Sequence, residues 1–179
     1  MSGGRWTLEQ LNAMDQPEFT RAVGGIFEQS PWIVREAWQR RPFPGKKELH
    51  ARMCAVIGEA DEDAKLALLR AHPDLGARIA MTDQSRLEQA GAGLDRLSRR
   101  EFRYLTALNR LYREKFRFPF IIAVKGKSVD EIISAMRRRI RNPREEELRQ
   151  ALAEVERIAG FRLDDLLNEG YDKEERNGS

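Results

Sequence analysis

The sequence predicts an all-α fold: a single-domain helical bundle over residues 1–170, crossed by one extended apolar segment around residues 116–125. Three observations predict it. Capping signatures open one stretch after another. Between the caps, apolar residues recur at three- and four-residue spacing, the period of a helix with one buried face. Only FRFPFII breaks that pattern, and its proline rules out an ordinary central strand.

Taken in order, Thr7 and Gln10 form a capping box before a short first helix, and Asp15 caps DQPEFTRAVGGIF with Pro17 in its first turn. Ser30-Pro31 starts the next helix, whose Trp32, Ile33 and Trp38 are expected to supply core bulk. RPFPG, residues 41–45, is a loop. KKELHARMCAVIGEA and DEDAKLALLRA are two further helices; Pro73 disfavours the α region for His72, so the second ends there. GARIAMTDQSRLEQAGAGLDRLS is less regular, with a short helical piece around SRLEQA. Ser98 and Glu101 open a long helix reaching about Lys115, with Phe102, Leu105, Leu108 and Tyr112 on its expected core face. After the extended segment, Ser128 and Glu131 open a helix through Arg141. Asn142-Pro143 starts the last one, which runs to about Asn168 with Gly170 placed to stop it. Residues 171–179 are polar and expected to be a disordered tail.

Composition narrows the function. Hydrophobic residues are 41% and charged residues 34% of 179, with 32 basic against 29 acidic side chains, a net charge of +3. This is near-balance and not the segregated excess of a dedicated nucleic-acid binder. The run Arg137 to Arg139 reads as a solvated helix face; a helical nucleic-acid-binding or scaffold module using this arginine-rich surface is the alternative function. One cysteine, Cys54, excludes an internal disulfide and a multi-cysteine metal site, and its apolar neighbours make it a small buried hydrophobe. The N-terminal residues show no signal-peptide core, the C-terminal residues no peroxisomal tripeptide, and no stretch is apolar for long enough to span a bilayer, so a cytoplasmic location without membrane partners is expected.

Three segments depart from helical regularity while keeping specific polar or aromatic residues: AHPDLG, SRLEQAGAG and FRFPFII. His72 is either a histidine favoured by the dipole at a helix C-terminus or an acid–base group at the core edge, since an imidazole titrates near neutrality. Glu88 is either exposed on a short charged helix or a carboxylate that orients His72, with Gln89 beside it and Gly91 and Gly93 allowing close backbone approach. Backbone outside helix and sheet, as in FRFPFII, has N–H and C=O groups that an amide-rich ligand can satisfy; plain core packing is the other reading. The spacings HxxxH, HxH and CxxC, a glycine-rich dinucleotide fingerprint, a Walker sequence and GxSxG are all missing, so neither metal nor cofactor is expected.

AHPDLG, SRLEQAGAG, FRFPFII and IAGFRLDDLL, in that order, resemble the 2-oxo-4-hydroxy-4-carboxy-5-ureidoimidazoline (OHCU) decarboxylase family of urate degradation, over nearly the whole chain. The resemblance implies an all-helical, cofactor-independent lyase, commonly a homodimer, that converts OHCU to (S)-allantoin and carbon dioxide. It makes His72 the catalytic acid–base, with Glu88 beside it, and implies substrate contacts from Pro73, Ser85, Gln89 and the segment Phe118, Pro119, Phe120, Ile121 and Ile122. It also implies a substrate-binding arginine in the last helix, assigned to Arg162 with Arg157 as the fallback. The connection between His72 and Ser85 looks short beside many relatives.

Overall fold

A computed structural model describes residues 5–75 and 98–167. Among these, eight α-helices occur: α1 Leu8–Ala13, α2 Gln16–Val23, α3 Pro31–Trp38, α4 Lys46–Glu59, α5 Glu62–Arg70, α6 Arg99–Phe116, α7 Val129–Arg139 and α8 Arg144–Leu166. A 3₁₀ turn, Gly24–Ile26, extends α2. No strand is present among the described residues beyond a single parallel bridge between Trp6 and Leu167.

The capping residues read from sequence do what the pattern requires. Thr7, Asp15, Ser98 and Ser128 each accept the N3 backbone N–H, and the N3 Gln or Glu reaches back to the cap's own N–H. Ser128→Ala is therefore expected to cost about 1 kcal/mol, read as a lowered urea midpoint at unchanged slope. Ser30 behaves differently: its hydroxyl donates to the Glu28 carbonyl at 2.8 Å and caps nothing.

The chain divides into two compact units, the first being Met1–Leu68 with Glu156–Ser179 and the second Leu69–Val155. In the first, Phe19 and Phe43 stack at 5.7 Å, and Phe27, Ile33, Leu49 and Met53 are buried as well. The RPFPG loop is latched by Asn12, which donates to the Phe43 carbonyl at 2.9 Å and accepts the Phe43 N–H at 2.7 Å. Core bulk in α3 comes from Ile33, Val34 and Ala37, whereas Trp32 and Trp38 are only half-buried. The reason for Trp38 is polar: its indole N–H donates to the Met14 carbonyl at 2.9 Å, and the Arg41 guanidinium covers its ring at 3.7 Å.

In the second unit, α6 stops because Arg117 turns left-handed at φ 65°, its N–H returning to the Arg113 carbonyl at 2.9 Å. Residues 118–124 then run as buried backbone outside any helix, as the sequence predicts. Tyr112, Phe116, Phe118 and Phe120 form an aromatic cluster, with Tyr112 edge-on to Phe120 at 5.1 Å. Two expectations are corrected. Phe102 is 44% exposed, since the buried stripe of α6 runs through Leu105, Tyr112 and Phe116. The arginine run of α7 is not wholly solvated: Arg139 is 2% exposed because it shares the buried stripe of Ile132, Ala135 and Met136.

Candidate active site

α5 ends at Arg70, and Ala71 and His72 turn away, with the His72 N–H held by the Leu69 carbonyl at 3.1 Å. His72 belongs to the second unit and is 4% exposed, so it is removed from bulk water. Two links in that unit bring this turn to the end of α6, where the buried segment starts. The Arg113 guanidinium pairs with the Asp74 carboxylate. Arg70 Nε donates to the Arg117 carbonyl at 3.0 Å. Both are partly solvated and worth little as stability; their effect is placement. Asp74 Oδ1 is buried and has no hydrogen-bond partner among the described residues.

The segment 118–124 is fixed by buried charge. Arg139 Nη1 donates to the Ile121 carbonyl at 2.8 Å, and the guanidinium lies over the Phe120 ring at 4.4 Å. Arg139 Nε donates to Glu147 Oε1 at 2.8 Å; Nη2 lies 2.7 Å from the same oxygen, close enough for the ion pair but without hydrogen-bond alignment. Glu147, fully buried, also accepts the Tyr112 hydroxyl and, at 3.1 Å, the Asn142 amide. Burial, then the hydrogen bond to Glu147, pushes the Tyr112 phenol far above its ordinary range, so it stays a donor. Glu154 Oε2 accepts the Ala123 N–H at 3.0 Å, and Lys127 Nζ donates to the Ala123 carbonyl at 3.1 Å. Within FRFPFII the Arg117 and Ile121 carbonyls already have protein partners, as does the N–H of Ala123 just after it.

A groove of about 550 Å³ on α6, lined by Phe102, Thr106, Ala107, Arg110 and Leu111, touches neither His72 nor this segment. Among the described residues, no three or more His, Cys, Asp or Glu gather as a metal-binding set, and no helix is long and apolar enough to cross a membrane.

Residues 12–164 match the family described as OHCU decarboxylase. The chain belongs to the OHCU decarboxylase family. It is 46% identical over 162 residues to the 2-oxo-4-hydroxy-4-carboxy-5-ureidoimidazoline decarboxylase of Halalkalicoccus jeotgali, covering 90% of this chain and 92% of that protein. It is 42% identical over 164 residues to the uric acid degradation bifunctional protein PucL of Bacillus subtilis, covering 92% of this chain and 33% of that protein. Its fold is similar to the crystal structure of (S)-allantoin synthase, with a TM-score of 0.71 and 28% identity over 90% of this chain; it spans 54% of that chain.

Of the residues the family resemblance singled out, His72, Pro73 and Phe118 to Ile122 all lie in the second unit, with His72 and residues 118–122 buried and Pro73 half-buried. Ser85, Glu88 and Gln89 lie outside the described residues. Arg162 belongs to the first unit, where it donates to the Ile26 carbonyl at 3.1 Å and pairs with Glu28 at 2.7 Å; Arg157 is exposed on α8. His50 and Cys54 are spent on packing. His50 Nε2 donates to the Glu156 carbonyl at 2.7 Å, and burial, then the Glu156 charge, pushes the Cys54 thiol up to about 12, which leaves no nucleophilic thiolate. Sequence reasoning missed Arg139, Glu147 and Glu154. The signal was there in the register: Ile132, Ala135, Met136 and Arg139 share one helical stripe, as do Glu147, Ala151, Glu154, Val155 and Ile158.

Proposed function

We propose that this chain decarboxylates OHCU to (S)-allantoin and carbon dioxide in urate degradation, without metal or organic cofactor, and with His72 as the acid–base group. The observation that carries the reading is the buried imidazole at the end of α5, linked through Arg113–Asp74 and Arg70–Arg117 to the start of the segment 118–124 in a chain of this family. When the bond from the ring carbon to its carboxylate breaks, the electron pair stays on that carbon. The imine and carbonyl groups of the substrate ring delocalise it as an enolate or enamide, so the substrate is its own electron sink. The protein's task is to hold the carboxylate perpendicular to the conjugated ring and to place one proton on one face.

In this reading His72 protonates the carbanion equivalent, Glu88 shares its proton near the departing carboxylate, and Pro73, Ser85 and Gln89 line the substrate. Backbone amides of residues 118–122 stabilise the charge that develops on the ring oxygen. Arg162, or Arg157 in its place, meets a substrate oxygen; for Arg162 this means leaving or sharing its pairing with Glu28. A cytoplasmic homodimer completes the proposal. The alternative, a nucleic-acid-binding arginine-rich surface, is weakened by the burial of Arg139, which leaves Arg137 and Arg138 as the solvated pair of that run.

Freshly generated OHCU tests the reading, with allantoin followed by circular dichroism. A single-sign signal appearing far faster than spontaneous decay is expected, unchanged after dialysis against a chelator. Racemic product at the spontaneous rate overturns the activity; loss in chelator restored by zinc overturns its cofactor independence.

A further inference from the structure

Backbone that is neither helix nor sheet must find partners for each N–H and C=O outside regular structure. Between residues 120 and 123 the partners belong to alternate residues, and just beyond them the Val124 carbonyl accepts the Lys127 N–H at 3.0 Å. The Ile121 carbonyl takes Arg139, the Ala123 N–H takes Glu154, and the Ala123 carbonyl takes Lys127. In extended chain the N–H and C=O of one residue point to the same edge, and those of the next residue point to the opposite edge. All three of these bonds belong to residues 121 and 123, which in such a chain share one edge. Among the described residues, no partner is found for the N–H and C=O of Phe120 or Ile122, which are 1% and 2% exposed. Each of these residues presents a donor and an acceptor side by side, the complement of a cyclic amide or urea.

We propose that Arg139 and Glu154 are positioning residues that lock the register of this segment and so present the Phe120 and Ile122 backbone edge to a substrate carrying urea-type N–H and C=O groups. The inference rests on the reading of residues 118–122 as substrate-binding. A slip of one residue would turn the bonded edge toward the ligand and the open edge toward α7 and α8. Two anchors from different helices, Arg139 on α7 and Glu154 on α8, prevent that slip. Arginine is required at the first: its planar fork reaches Glu147 and the Ile121 carbonyl together, which the single ammonium of lysine does not.

The test compares wild type with Glu154→Leu, Arg139→Lys and Glu154→Gln. Steady-state kinetics use freshly generated OHCU, and backbone amide exchange is followed by NMR without substrate. In Glu154→Leu and Arg139→Lys, KM is expected to rise about tenfold with kcat changed less, as for loss of an interaction made in ground and transition state alike. Glu154→Gln, which keeps an acceptor oxygen, recovers most of that loss. The Ala123 amide exchanges faster in Glu154→Leu, and the Ile122 amide shift moves in both defective variants. A purely structural role predicts lower thermal stability at wild-type KM; that result in either folded variant overturns the proposal. If wild-type protein leaves OHCU untouched, the functional reading fails on its own. The amides then decide the clamp: unchanged Ala123 exchange and an unmoved Ile122 shift in Glu154→Leu overturn it.

Discussion

His72→Ala is expected to fold normally and to lose about 10²–10⁴-fold in kcat, the range typical of removing a positioned acid–base group. The backbone of the turn does not depend on the ring: the His72 N–H bonds to the Leu69 carbonyl, and the turn is held by Arg113–Asp74 and Arg70–Arg117. The ring itself is 4% exposed, so truncation removes some packing along with the proton donor. His72→Asn separates the two contributions, because an amide fills similar space and hydrogen-bonds but does not titrate. Both variants should show the same collapse in turnover, with wild-type far-ultraviolet dichroism. The little allantoin they form should lose enantiomeric purity, since protonation then comes from water on either face. A His72→Ala enzyme with full rate and a single enantiomer assigns the proton to another group.

Most of the fold is legible in the sequence because its signals are local. A capping serine and the glutamate three residues on need nothing from the rest of the chain, and Thr7, Asp15, Ser98 and Ser128 all behave as their neighbours dictate. The break at Pro119 is equally local. What escapes is the fate of long polar side chains. Arg137, Arg138 and Arg139 are identical letters, yet the third is buried because one turn of α7 carries it onto the face of Ile132 and Met136, where Glu147 of α8 waits. Phe102 errs in the opposite direction: its residue type suggests the core, but its place on α6 puts it toward solvent.

The candidate site divides along the same line. His72 and FRFPFII announce themselves by breaking a helical pattern. The groups that hold them, Asp74, Arg113, Arg139 and Glu154, are charged residues whose partners lie 31 to 39 positions away for Asp74 with Arg113 and Ala123 with Glu154. No spacing rule reaches across such distances. Only the helical register of each residue hints at burial, and a buried charge implies a partner without naming it.

Glu147→Ala carries the largest expected stability effect. It removes the carboxylate that faces Arg139, accepts the Tyr112 hydroxyl and accepts the Asn142 amide, with Arg139, Tyr112 and Glu147 itself all buried. The guanidinium of Arg139 stays behind, buried against the Phe120 ring with one carbonyl for company. Breaking one side of such a pair costs roughly 3–5 kcal/mol, because the remaining charge keeps its desolvation penalty and loses its compensation. That is a large share of the total stability of a domain, about 5–15 kcal/mol. A urea titration should show a strongly lowered midpoint. Replacing both partners, Arg139→Met with Glu147→Leu, should restore most of the stability, since apolar side chains of similar volume carry no charge to strand. The double variant also discriminates between the two roles of Arg139. If the pair serves stability alone, the restored protein regains wild-type KM. If Arg139 holds the Ile121 carbonyl in register for catalysis, the double variant is stable and its KM stays raised. A Glu147→Ala protein that unfolds at the wild-type midpoint would mean that water reaches Arg139 and that the network is not closed.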